Sequence, residues 1–457
     1  MAFSSFRFIT DKPVVFKVET KKLFIYLMFF GIIYKEEIIG MFCCRLKTAD
    51  YIRKGLVIMI IRNDYIKAVE PFIDKPVVKI LTGVRRCGKS TIFRMVKEEL
   101  IRRGVSGEDI IEKRYTEMDI PEDITAQQMY QELIEAIGEK EHCYLLLDEI
   151  QEVHNWEKAV NSILENGKAD IYVTGSNSKL MSSEISTYLT GRFVEIPVFT
   201  LSFREYLEFK KESAMSQTEL LEEYIRFGGF PIIALGEYEE TSAYQIVNGI
   251  YHTVVSRDIV KRHQIKKQEL FDRVVKYIIE NTGKTFSANS ISNFLKNEHR
   301  SVSVESVYNY LRWLQQAFII FPCARYDLQG KNILKTQEKY YLADVSLRYA
   351  LLGYDRKMLD STMENIVFLE LKRRGFDVFI GKNGTKEIDF VAERRDEKIY
   401  VQVCVQLPAN SDREIENLME IRDHYPKYVV TFNTMDTGNE NGIRIVHLAD
   451  FLLMDKF

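Results

Sequence analysis

The chain has 457 residues, more than one compact core usually organises, so two or three domains are expected. Its 46% hydrophobic and 28% charged residues, with 23 glycines and nine prolines, exclude a collagen-like, mucin-like or largely disordered protein. Sixty-three basic against 66 acidic residues give a net charge of -3, so the chain as a whole is no polyanion-binding tail and the balance must be read segment by segment.

The six cysteines contain no CxxC pair, and only Cys43 and Cys44 are neighbours. A zinc site or disulfide framework is not indicated, and a reducing, cytoplasmic setting fits best. The seven histidines show no ligand spacing either. Residues 1–58 differ in character from the rest. Their apolar run, Leu23 to Tyr34, lies between Lys21, Lys22 and Lys35. It is shorter than the roughly 20 residues a membrane helix needs, and no small-residue cleavage site follows it. The segment is expected to be an atypical extension upstream of the fold, a short buried strand or helix being the alternative. Met59 is the natural start of the working protein, and no membrane partner is expected.

The strongest local signal is PVVKILTGVRRCGKST, residues 76–91. A β-rich run, Val77 to Leu81, enters a loop, and a helix with Ile92, Phe93, Val96 and Leu100 at helical spacing follows. This is G-x-x-x-x-G-K-[ST] in a strand–loop–helix context. Gly83 and Gly88 let backbone wrap a phosphate without side-chain clashes. Val84, Arg85, Arg86, Cys87 and Thr91 complete the loop and helix start, whose N–H groups supply partial positive charge. Lys89 reaches the β and γ phosphates of ATP, and Ser90 ligates magnesium.

Residues 143–153, CYLLLDEIQEV, are a continuous apolar run ending in Asp148 and Glu149. Such a run suggests a strand buried on both faces in a parallel sheet. At its C-terminal end Asp148 can hold Mg2+ and Glu149 can polarise the attacking water. Residues 169–180, ADIYVTGSNSKL, form another buried strand whose tip offers Ser176 and Asn177 as γ-phosphate sensors, Asn177 as an ordinary turn residue being the alternative. Arg192, after a glycine and before the next strand, is a candidate sensor or finger arginine, against a solvated loop arginine.

These segments, with LTGRFVEIPVFTLSFREYL at 189–207, FGGFP at 227–231 and VVSRDIVKRH at 254–263, resemble the prokaryotic AAA-type ATPases that carry a C-terminal domain of unknown function. The resemblance spans about residues 59–457. It implies an α/β protein: a P-loop NTPase core with a parallel sheet over 59–207, a helical lid and winged-helix module over 208–345, and a restriction-endonuclease-like domain over 346–457. It implies no biological role.

Residues 208–260 are expected to be helices interrupted by Gly228, Gly229 and Pro231. In SRDIVKRH, Arg257, Lys261 and Arg262 are basic at helical spacing, most simply a solvated face. Over 269–345 the pattern is helix–turn–helix followed by a hairpin, the winged-helix layout, with 303–317 as the recognition-like helix. From Lys261 to Tyr340 there are 14 Lys/Arg and 7 Asp/Glu, the excess a phosphate-backbone footprint needs. DNA, a protein partner and further copies of the chain are the partners considered.

From residue 360 the expected order is helix, three strands, helix, strand. In the nuclease-like pattern Glu364 and Asp389 take the helical and strand carboxylate positions, but the expected E-x-K is Gln402, Val403 and Cys404. A neutral amide and a thiol serve a hard cation poorly, so the domain is expected to have lost cleavage. The leading expectation is an ATP- and magnesium-dependent switch. The alternatives are an ATP-gated DNA nuclease and a ligand-sensing interaction protein with little turnover.

Overall fold

Val78–Thr82, the strand expected ahead of the glycine loop, is buried at every residue and is the first strand (β1) of a five-stranded sheet. The structure, a computed structural model, describes residues 60–457 apart from 118–119, 122, 178–187, 298–301, 331 and 408–412. The extension expected over 1–58, with its apolar run, lies outside the described residues. Among the described residues no helix is long and apolar enough to cross a membrane.

The other strands are β2 (Ile110–Arg114), β3 (Cys143–Asp148), β4 (Ala169–Gly175) and β5 (Phe193–Pro197), in the spatial order β2-β3-β4-β1-β5. Every neighbouring pair is parallel. β1, β3 and β4 are buried throughout, as central strands of a sheet covered on both faces must be. β2 and β5, at the edges, are only partly buried. Helices Lys89–Arg102, Ala126–Ile137 and Trp156–Glu165 connect the strands. The second starts where a capping box closes between Thr125 and Gln128, satisfying backbone N–H groups that the first turn leaves unpaired.

Helices Phe203–Phe209, Gln217–Phe227, Pro231–Leu235 and Glu240–Val254 follow, the first two opened by Ser202–Glu205 and Ser216–Glu219 capping boxes. The last runs without a break into a π-helix, Val255–Lys261. Three more helices, Gln268–Glu280, Ala288–Asn297 and Val304–Gln316, precede the hairpin of β6 (Ile320–Asp327) and β7 (Asn332–Leu342). The helix–turn–helix and hairpin order is the one the sequence suggests, but the hairpin is no free wing. β6 pairs in parallel with β8 (Asp377–Asn383), so both strands join one eight-stranded sheet. Its order is β12-β13-β11-β10-β9-β8-β6-β7, with β9 Lys386–Arg394, β10 Glu397–Cys404, β11 Lys427–Thr431, β12 Gly438–Glu440 and β13 Ile443–His447.

Neither expected domain boundary is therefore a seam in the packing. The one at 345/346 falls between β7 and β8, and strands from both sides of it build a single sheet. The one at 207/208 fares no better. Phe203 and Tyr206 share a buried cluster with Leu221 and Tyr224 of the lid and with Met363, Phe368 and Phe390 of the C-terminal half. Arg373 adds a polar tie, its Nη2 donating to the Leu201 carbonyl at 3.2 Å. Residues 60–457 form one compact unit.

Candidate functional site

Because the five strands are parallel, the C-terminal ends of β1, β4 and β3 lie side by side, the usual place for ligands in open α/β sheets. The loop after β1 holds its shape through left-handed backbone at Gly83 (φ 149°), Arg86 (φ 64°) and Gly88 (φ 106°). A Cβ on Gly83 would sit 2.1 Å from the carbonyl oxygen of Val198, a separation no side chain tolerates. Arg62 Nη1 donates to the Cys87 carbonyl at 2.9 Å, fixing the loop from outside. Gly88 caps the helix that begins at Lys89. The Lys89 ammonium, buried, donates to the carbonyls of Gly83 at 2.8 Å and Val84 at 3.1 Å.

At the end of β3, Asp148 is buried, and the Thr174 hydroxyl of β4 and Arg114 Nε, at 3.2 Å, donate to its two oxygens. Glu149 adopts left-handed backbone (φ 54°); its N–H donates to Thr174 Oγ1 at 3.0 Å. Its Oε2 accepts from Ser176 Oγ at 3.2 Å and from Gln151 Nε2. Burial works to raise the pKa of Glu149, but the Lys89 and Arg85 charges and the two side-chain hydrogen bonds outweigh it and hold the carboxyl below its usual range. Asn177 is buried beside Ser176.

Arg85 is the residue whose neighbours could not be read locally. Its Nε and Nη2 donate to the two oxygens of Asp258, at 2.6 and 2.9 Å. Nη1 lies 3.8 Å from Glu149, and Nη2 lies 3.5 Å from Glu152. Asp258 sits in SRDIVKRH, where the sequence draws attention to the basic residues instead. Of those, Arg257 pairs with Glu152 at 3.5 Å and Lys261 is exposed. A lone acid amid four basic residues, on a helix otherwise apolar inward, was the available signal.

Arg192 does not join this site. It precedes β5, and its carbonyl accepts from the N–H of Val78, the first residue of β1. That is the opposite end of the sheet, about 13 Å of strand from the glycine loop. Its guanidinium bonds Asn161 at 2.8 Å and Glu165 at 3.2 Å. A residue just before a parallel strand belongs at the far end of the sheet, so Arg192 is not among the residues brought together at its own subunit's phosphate loop.

The C-terminal constellation is also assembled, on helix Leu359–Arg373, β9 and β10. Asp389 Oδ2 accepts from Val403 N–H at 2.8 Å, and Asp389 N–H donates to Gln402 Oε1 at 3.2 Å. Gln402 Nε2 donates to Glu414. Tyr341 donates to Glu364 at 3.1 Å. Burial pushes the Cys404 thiol up to about 12, so it stays protonated. A lysine approaches these carboxylates from another strand. Lys339 of β7, buried, lies 2.9 Å from Glu387 and 3.6 Å from Glu364. A lysine inside an otherwise inward-facing strand position was the sequence sign of it. Burial and mutual repulsion raise the pKa of Asp389 well above its ordinary value, with Lys339 opposing; burial raises that of Glu364 as well.

Strand order, glycine loop and carboxylate strand together define an AAA-type P-loop ATPase, a class that binds ATP. In agreement, residues 75–207 match the AAA domain family (AAA_14), and residues 218–358 match a domain of unknown function, DUF8612. The chain belongs to the family that includes an uncharacterized protein of Haemophilus influenzae, to which it is 35% identical over 400 residues, spanning 86% of this chain and 99% of that one. An uncharacterized protein of Methanocaldococcus jannaschii is 32% identical over 358 residues, covering 74% of this chain and 77% of its own. Among solved structures, the Walker-type ATPase of Pyrococcus abyssi is similar with a TM-score of 0.43 and 16% identity, over 64% of this chain and 96% of that one.

Proposed function

We propose that this protein hydrolyses ATP with magnesium and uses the cycle to switch the arrangement of its helical and C-terminal half. The observation that carries the reading is the meeting of Lys89, Arg85 and Glu149 at the C-terminal ends of β1 and β3, the parallel strands on either side of β4. The residues suit magnesium. Ser90 offers a hydroxyl at the start of its helix, and Asp148 a buried carboxylate already oriented by Thr174. Among the described residues no group of three or more His, Cys, Asp or Glu could cage a metal; magnesium bound with nucleotide needs only one or two protein oxygens, phosphates and waters supplying the rest. When bound, it would neutralise charge developing on the phosphates.

The chain's own residues do the remainder. Loop N–H groups and the Lys89 ammonium bind the phosphates, the lysine exchanging the Gly83 and Val84 carbonyls for phosphate oxygens. Glu149, held ionised, orients and polarises the attacking water. Ser176 hydrogen-bonds that carboxylate from the tip of β4, and in this reading it and Asn177 register the γ-phosphate. The decisive measurement is ATP turnover in the parent and in Lys89→Ala. Turnover surviving that substitution overturns the reading.

The partner proposed for the basic module is DNA, bound through its phosphates. Exposed Lys261, Lys266, Lys267 and Arg312 and the half-exposed ring of Tyr308 supply the surface. Turnover measured with duplex and single-stranded DNA across a salt series tests this: stimulation that falls steeply with salt supports it. Stimulation by a protein partner alone would replace it.

The C-terminal domain is proposed as nuclease-like in design and without cleavage, since the Gln402 amide is engaged by Asp389 and Glu414. The ATP-gated nuclease reading is favoured by Lys339, which brings a cation to Glu364. Magnesium-dependent DNA degradation that disappears in Asp389→Ala would establish it.

A further inference from the structure

The π-helix Val255–Lys261 is where the helical half touches the phosphate loop, and the contact is a buried ion pair. Asp258 is 2% exposed, and the side chain of Arg85 is 12% exposed. Both Asp258 oxygens accept from Arg85, through Nε and Nη2. A two-point bond of this kind fixes the plane of a guanidinium as well as its place. With two nitrogens held on that side, Nη1 is left directed towards Glu149, 3.8 Å away. The widened turn of a π-helix, a feature frequent at functional sites, presents Asp258 here. The same segment leads directly into Gln268–Glu280, the first helix of the basic module.

We propose that Asp258 is a positioning residue for ATP hydrolysis: it aims Arg85 at Glu149, so the ATPase centre is complete only when the π-helix is docked on the phosphate loop. The inference rests on the ATPase reading and names how the helical half regulates that site. The side chain of Asp258 bonds the Arg85 guanidinium. It acts through Arg85, whose remaining nitrogen faces the carboxylate that handles the water. Glu152 contributes to the same cluster, 3.5 Å from both Arg85 and Arg257, so the π-helix meets the β3 end through Arg257 and the phosphate loop through Asp258. Withdrawing the helix removes the acid that orients Arg85 while leaving Lys89 and the loop amides in place. Phosphate binding survives and the chemical step slows.

The test is steady-state ATP turnover and binding of a fluorescent ATP analogue in the full chain carrying Asp258→Asn. The expected result is a kcat lower by about 10- to 100-fold with analogue affinity within about threefold of the parent, the scale at which misplacing one oriented group acts. Asp258→Glu, which keeps the charge, recovers kcat to within about threefold of the parent. Parent kcat in Asp258→Asn overturns the proposal. So does an affinity loss as large as the kcat loss, because that marks a collapsed loop. Should Asp258→Asn not fold, Arg85→Lys decides. It keeps a cation near Glu149 but cannot make the two-point bond, so reduced kcat at unchanged affinity supports the proposal and parent kcat overturns it. Turnover surviving in Lys89→Ala would instead sink the ATPase reading itself.

Discussion

The N–H of Gly229 donates to Oδ2 of buried Asp344 at 2.8 Å, tying the turn between two lid helices to the residue that follows the β6–β7 hairpin. The other oxygen, Oδ1, accepts from the N–H of Ser346 at 3.0 Å and from its hydroxyl. Leu201 N–H completes the joint, donating to the Gly229 carbonyl at 2.7 Å. The ATPase domain's exit, the lid and the C-terminal sheet thus meet at one glycine pair.

Gly228→Ala should break this joint. Gly228 has φ +71°, and an added Cβ would stand 1.8 Å from Asp344 Oδ1. Strain and displacement of the carboxylate together should cost about 2–4 kcal/mol. A fall in the urea midpoint without a change in slope checks it.

Glu149→Gln should separate binding from turnover. The amide keeps the shape but cannot polarise water as a carboxylate does, so kcat should fall by roughly 10²–10⁴ while a nucleotide analogue still binds. Single-turnover kinetics with titration of the analogue give both quantities.

Lys339→Met should be severe at neutral pH. It leaves Glu364 and Glu387 without their buried cation, and removing one partner of such a pair costs roughly 3–5 kcal/mol. The loss should shrink towards pH 4, as Glu364, whose pKa burial already raises, takes up a proton. Chemical denaturation at both pH values measures the difference.

Asp389→Asn should act in the opposite direction. Folding raises the pKa of Asp389 well above 3.8, through burial first and Glu364 next. The folded state therefore favours the protonated form, and this group's contribution to stability is present below pH 4 and lost as pH rises through the folded value. A neutral amide removes that loss, so the variant should be more stable than the parent at pH 7 and similar to it below pH 4. Unfolding curves at pH 7 and pH 3.5 provide the check.

The glycine loop and the strands ending in Asp148 and Thr174 were legible because their signals are local. Spacing within ten residues sets the loop's backbone, and unbroken apolar runs demand burial on both faces. The helices expected over 208–260 were punctuated in the same local way, by Gly228, Gly229 and Pro231. Sequence alone thus determined that the chain carries a phosphate loop on a parallel sheet, with an acidic strand end to accompany it. What it could not determine is who faces whom. Arg85 and Asp258 are 173 residues apart, and no periodicity couples them. Lys339 reaches Glu387 only because β6 pairs with β8 and closes the hairpin onto the C-terminal sheet. Arg192 bonds Asn161 and Glu165 of a preceding helix, partners that its neighbours in sequence do not name. Packing of distant elements decided these pairings, since a buried charge is tolerated only where the fold as a whole brings its partner.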